Sequence, residues 1–177
     1  MVYTDEIIAV YGKKGFWAKL KYNLLYIWRM FLYYLTFLCP ATEMRVALNR
    51  LRGVKIGKNV YLGYGVMIDK LFPEMVTIKD NAAIGDDTMI NAHAIVPSPS
   101  RVRKIYPLRV APVTIGEGVW ILPRVAITLG VNVGDEAILL SGAVVTKDVP
   151  PRCMVGGVPA KVIKDLSNHE VFKKNKK

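Results

Sequence analysis

His93 and His169 are the two histidines of this chain. Only the first lies in a patterned stretch, "MINAHAIVPSPSRVRK", whose regularity stops just after it. An imidazole of ordinary pKa, about 6.5, is mostly neutral near pH 7 and can take a proton from a hydroxyl, so His93 is a candidate general base. The alternative is an ordinary turn residue. The stretch Pro97 to Val113 carries Arg101, Arg103, Lys104 and Arg109 with Tyr106 and no acid. Guanidinium groups match phosphate oxygens two at a time, so it reads either as a phosphate-binding flap or as a basic loop kept soluble by its charge. Cys153 could accept an acyl group as a thiolate, but no histidine accompanies it in sequence, and a packed free thiol is the commoner case. Cys39 and Cys153 lie far apart without CxxC spacing, which suggests neither a disulfide framework nor a zinc knuckle.

What positions these residues is a period of six. Aliphatic side chains recur at Ile56, Leu62 and Ile68, then Ile78, Ile84, Ile90 and Val96, then Ile115, Ile121, Ile127, Val133, Leu139 and Val145. Four residues after most anchors stands a small or β-branched residue, as at Val60, Val66, Ala82, Thr88, Ala94, Val119, Val125, Val131, Ala137 and Ala143. One residue after several of them stands glycine: Gly57, Gly63, Gly85, Gly116, Gly134. Six fits neither a 3.6-residue helix nor a two-residue alternation. It fits a short strand and a tight turn, repeated: a β-solenoid whose anchors and small residues fill a narrow interior, with glycine supplying turn angles that a Cβ resists. The period breaks twice, at Asp69–Thr77 and at Pro97–Val113, and excursions from a solenoid are where function tends to sit.

The chain has 177 residues, 52% of them apolar, and a formal charge of +11. This excludes disorder, allows one well-buried domain and calls for an anionic partner. The basic residues are scattered over leader, loop and tail with no recognition motif, so nucleic acid is not expected. The start, "MVYTDEIIAVYGKK", lacks the features of a secretory signal, and a reducing cytoplasm suits the two thiols.

Four stretches, "LFPEMVTIKDNAAIGDDTMI", "APVTIGEGVWI", "GAVVTKDVPP" and "VGGVPAKVIK", resemble the hexapeptide-repeat acyltransferases, most of all the maltose/galactoside O-acetyltransferases and related polysaccharide O-acetyltransferases. The resemblance spans roughly residues 52 to 165. It implies a mainly β fold, a left-handed parallel β-helix with three hexads per triangular coil. The boundaries expected from it are an N-terminal helical leader over 1–52, the β-helix over 53–165 and a basic C-terminal tail over 166–177. It also implies direct acetyl transfer from acetyl-CoA to a hydroxyl, a histidine base, backbone N–H groups facing the oxyanion, and a homotrimer with each site between two subunits.

In that family the base stands at the start of the long loop, where this chain reads Pro99, Ser100 and Arg101. None of these can serve. His93 remains a candidate and Asp69, in the first break, is the carboxylate alternative; a protein that kept the scaffold and lost the chemistry is the third. Position by position, the resemblance assigns Ser141 and Thr146 to the pantetheine arm, with Lys147 beside it, Lys164 to the adenosine phosphates, and Trp120 to the family pattern, although Leu122 stands where relatives have glycine. A γ-class carbonic anhydrase would need three zinc-binding histidines, and no metal is expected.

Residues 17 to 39, "WAKLKYNLLYIWRMFLYYLTFLC", form the one long helical pattern, closed by Pro40. A central Arg29 argues against a span across a bilayer. Tyr22, Tyr26, Arg29, Tyr33 and Thr36 share one face, and Lys13, Lys14, Lys19 and Lys21 come before or early in it. Such a helix either packs on its own solenoid or on a neighbouring subunit, covering the open end of the core, or lies peripherally on an anionic membrane; the width of its apolar face favours the membrane. The expected function is an O-acetyltransferase acting on a sugar hydroxyl in glycan or glycolipid assembly.

Overall fold

The computed structural model describes residues 4–96 and 101–172. Three helices, α1 (Thr4–Val10), α2 (Phe16–Thr36) and α3 (Thr42–Arg52), precede a three-sided parallel β-helix. Sheet A stacks Lys55–Ile56, Val76–Ile78, Val113–Ile115 and Asn132–Val133. Sheet B stacks Tyr61–Leu62, Ala83–Ile84, Trp120–Ile121, Ile138–Leu139 and Cys153–Gly156, and ends on Lys161–Asp165, which turns antiparallel. Sheet C stacks Met67–Ile68, Met89–Ile90, Ala126–Ile127 and Val144–Val145.

The hexad anchors form the columns of this prism. Ile56, Ile78, Ile115 and Val133 lie in register in sheet A, Leu62, Ile84, Ile121 and Leu139 in B, and Ile68, Ile90, Ile127 and Val145 in C. All but Ile56 among these are buried, and with the small residues between them they make one continuous core. Val96 and Ala94 depart from the expected pattern: Val96 is half-buried and Ala94 exposed. The wall ends at Ile90, Ala92 takes the inward place, and His93–Ala94 swings out to pair antiparallel with Arg109–Val110. The second excursion therefore begins at His93 rather than at Pro97, and carries the short helix α4 (Arg101–Ile105).

The glycines after the anchors also have a different cause from the one expected. A Cβ on Gly85 would stand 2.6 Å from the backbone nitrogen of Pro123 in the next coil. The constraint is closeness of the neighbouring backbone, whereas the left-handed turn angles fall elsewhere, at Asn59, Asn81, Asp87 and Gly142 among others. Gly57, Gly63 and Gly116 likewise leave room for Asp80, Asp86 and Asp135 of the coil above. Those carboxylates accept the N–H of Lys58, Tyr64 and Glu117 at 2.8, 2.8 and 2.9 Å, which satisfies turn donors that the strands cannot reach.

Helix α3 closes the open end. The first strand of each sheet has no coil beneath it, and α3 supplies one arginine to each. Arg45 Nε donates to Leu62 O at 3.0 Å, Arg50 Nε to Ile56 O at 3.1 Å, and Arg52 Nη2 to Ile68 O at 3.0 Å. Unpaired sheet-edge carbonyls are thereby occupied. Neither α1 nor α3 stands out in the hydrophobic pattern, since α3 turns Arg45, Asn49 and Arg52 inward.

Helix α2 lies over α3 and the first break with its tyrosine and arginine face inward: Tyr22, Tyr33 and Thr36 are buried, and Arg29 pairs with Glu74 at 3.0 Å. Tyr22 joins Ile7, Ile8 and Phe72 in a second apolar cluster, backed by Leu108 and Val110 from the long excursion. Arg103 of that excursion pairs with Glu6. Among the described residues no helix is long and apolar enough to cross a membrane.

Candidate active site

The two breaks in the hexad pattern meet. Asp69 follows the first strand of sheet C, and its N–H donates to Ile90 O, which fixes it beneath the start of the second excursion. Its Oδ1 accepts the N–H groups of Leu71 and Phe72, both at 2.9 Å, so the carboxylate folds the chain into the first break. Its Oδ2 accepts the N–H of Ala92 at 2.7 Å and faces His93 Nδ1 at 2.6 Å. Sequence reading offered His93 and Asp69 as rivals; the structure makes them a pair.

The electrostatics follow from that environment. Asp69 is only 2% exposed, and burial alone would raise its pKa. The hydrogen bond from the His93 ring and the N–H groups of Phe72 and Ala92 outweigh burial and hold the carboxyl below its usual range. An ionised carboxylate can only accept, so the ring proton sits on Nδ1 and the lone pair on Nε2. That is the tautomer a proton-abstracting histidine needs.

The surroundings hold the pair still. Arg52, 1% exposed, donates through Nη2 to the carbonyls of Ile68 and Asp69, the latter at 2.8 Å, and through Nη1 to Asn49 Oδ1 at 2.7 Å. Its guanidinium lies 4.7 Å from the centre of the Tyr33 ring, and burial lowers its pKa to about 10. The Phe72 ring tilts against His93 at 5.6 Å. An open cavity of about 260 Å³ adjoins the pair, walled by Tyr33, Met67, Lys70, Met89 and Asn91. A smaller cavity of about 110 Å³ between α1 and α2 contains no comparable base. Sequence reasoning missed Arg52, Lys70 and Asn91 altogether, and it took Tyr33 only as part of a helix stripe.

The residues assigned to the cofactor fall into separate places. Trp120, Ile138, Met154 and Lys164 are register partners in one row on the outside of sheet B. Three strand spacings separate the backbones of Trp120 and Lys164, about 14 Å. Thr146 and Lys147 are exposed at the corner between sheets C and A, two coils above Asn91 on the same corner as His93. Ser141 is exposed at the corner between sheets B and C, where it edges an open groove with Arg124 and Gly142. In a three-sided prism the corner between C and A stands opposite sheet B, so within one chain Trp120 and Lys164 do not meet His93. Leu122 is half-buried at the turn after Trp120. Pro99 and Ser100 lie outside the described residues. Cys39 and Cys153 are buried free thiols, and burial raises the pKa of Cys153, away from nucleophilic use.

No protein-family model matches the chain. Galactoside O-acetyltransferase of Escherichia coli is 34% identical over 117 residues, 66% of this chain but 56% of the relative, so the chain spans little more than half of that enzyme. WcaF of Escherichia coli, an acetyltransferase by assignment in colanic acid biosynthesis, is 31% identical over 137 residues, 68% of this chain and 74% of WcaF. Among solved structures, a hexapeptide-repeat acetyltransferase of Vibrio cholerae, complexed with acetyl coenzyme A, superposes with a TM-score of 0.68 at 24% identity, covering 81% of this chain and 88% of that one. That likeness gives the β-helix its left hand. With the hexad columns, the fold and the WcaF match together, the chain belongs to the hexapeptide-repeat acetyltransferase family.

Proposed function

We propose that this chain transfers the acetyl group of acetyl-CoA to a hydroxyl of a sugar, in the assembly of a glycan or glycolipid. The observation that carries the reading is the 2.6 Å contact between Asp69 and His93 Nδ1 beside an open cavity. His93 Nε2 takes the proton of the acceptor hydroxyl as its oxygen attacks the thioester carbonyl. The C–S bond then breaks, and His93 returns the proton to the departing coenzyme A sulfur. Asp69 holds the ring in register and steadies the imidazolium while it carries the proton, a role worth several orders of magnitude in related dyads. The sugar acceptor is supported by the names of the galactoside and colanic acid relatives.

The row on sheet B suits coenzyme A: an exposed indole at Trp120 for the pantetheine arm and the Lys164 amine for the phosphates. Ser141 would flank it from the B–C corner, and Thr146 and Lys147 would come from the C–A corner of the adjoining subunit. Since that row stands across the prism from His93, one complete site needs the sheet B face of one subunit against the C–A corner of the next. A closed homotrimer supplies this three times.

The test is calorimetry and turnover on the same samples. The full chain should bind coenzyme A, and His93→Ala should bind it equally while losing at least a hundredfold in transfer rate. A catalytically silent scaffold, the alternative, would give no binding heat and no turnover.

A further inference from the structure

We propose that α2 lays the protein on an anionic membrane with the His93 cavity close to the headgroup layer, so that the acceptor is an anionic headgroup anchored in that membrane. The word acceptor rests on the transferase reading above; the docking does not.

The helix is amphipathic in the wrong sense for a surface helix in water, which buries its apolar stripe and wets its polar one. Here Tyr22, Arg29 and Tyr33 point inward, whereas Trp17, Leu24, Ile27, Trp28, Phe31 and Leu38 point out, Trp17 and Leu38 each 77% exposed. The first five share one side of a 21-residue helix about 31 Å long, Leu38 follows just past its end, and no charge interrupts them. A contiguous exposed apolar stripe of this kind marks an interaction surface. It is not a span, because Arg29 on the inner side is committed to Glu74.

Charge selects the occupant. Lys13, Lys14 and Lys21 are exposed at the N-terminal end of the stripe, on a chain of net charge +11. A second copy on the same face would bring those lysines together; an anionic lipid surface would neutralise them. The tryptophan rings on the stripe, Trp17 and Trp28, suit the interfacial layer.

The same helix ties the surface to the chemistry. Tyr33, on its inner side, walls the His93 cavity, and the Lys70 amine sits 5.0 Å from the centre of that ring. Lys70 is exposed and makes no ion pair among the described residues. A free cation at the cavity, about one helix diameter from the membrane plane, is matched by a hydroxylated headgroup that carries a phosphate or carboxylate.

The experiment has two arms. In the first, the full chain is sedimented with phosphatidylcholine vesicles, with and without phosphatidylglycerol. The wild type should bind the anionic vesicles at least tenfold more tightly. The double variant Leu24→Glu, Trp28→Glu should lose that binding, yet keep its melting temperature and its turnover of a water-soluble galactoside. In the second, methyl glucuronide is compared with methyl glucoside as soluble acceptor. The wild type should prefer the glucuronide at least tenfold in kcat/KM, and Lys70→Gln should erase the preference. Wild-type protein that stays in the supernatant overturns the proposal. So does a double variant that dissociates into monomers while still binding vesicles, because the face would then be a subunit interface. Vesicle binding without turnover of any acceptor would instead strike the transferase reading and leave the docking standing.

Discussion

The carboxylate of Asp69 accepts four hydrogen bonds, three from backbone N–H groups and one from His93, so it is at once a fold-forming residue and an orienting one. Its folded pKa lies below its unfolded value of about 3.9. The stability it contributes is therefore complete above that unfolded value and is lost as pH falls through the folded one. Asp69→Asn should cost about 1–3 kcal/mol at pH 7. In thermal melts the gap to wild type should shrink as pH is lowered past about 4. Part of this was legible in sequence, since Asp69 opens the first break in the period of six and His93 stands just before the second. Their pairing was not, because they are 24 positions apart. The signal lies in the coil length: ten positions rather than six between Ile68 and Ile78 stretch the first coil, and the ladder then sets Ile68 against Ile90. Asp69 thus stands next to Asn91, and His93 two residues on.

At the scale of elements, α3 and the coil glycines carry the structural argument. Arg52 both ends sheet C and grips the carbonyl of Asp69. Arg52→Met should lower stability by about 1.5–3 kcal/mol, as expected for hydrogen bonds from a charged donor. It should also reduce kcat more than KM, since the dyad loses its support while the sheet B face is untouched. Helix α3 escaped the hydrophobic pattern because its inward side is made of arginine and asparagine. Its caps were readable all the same: Glu43 in the first turn, Arg50 and Arg52 in the last, and Gly53 at the left-handed stop. For the coils, Gly85→Ala should cost about 1–3 kcal/mol through overpacking against Pro123. Gly142→Ala, whose Cβ would meet nothing within 4 Å, should cost only the strain of its positive φ, about 1–2 kcal/mol. Paired melting curves would separate the two effects.

For the whole molecule, the prism was legible in sequence because each hexad repeats one local solution and stacking makes the core from copies of it. Hand and assembly were not, since spacing is blind to both. If each site joins two subunits, Trp120→Ala, Lys164→Ala chains should be inactive for want of a coenzyme A face, and His93→Ala chains for want of a base. Trimers assembled from a mixture of the two should regain activity that neither parent has; a mixture as inactive as its parents would place each site within one chain. The dyad is tested most directly by the transfer rates of His93→Ala, Asp69→Asn and the double variant, each with coenzyme A affinity measured alongside. A coupled pair predicts unchanged affinity, a loss of at least tenfold for Asp69→Asn, and a double variant no slower than His93→Ala alone. Losses that multiply, or a His93→Ala protein that turns over like the wild type, would contradict it.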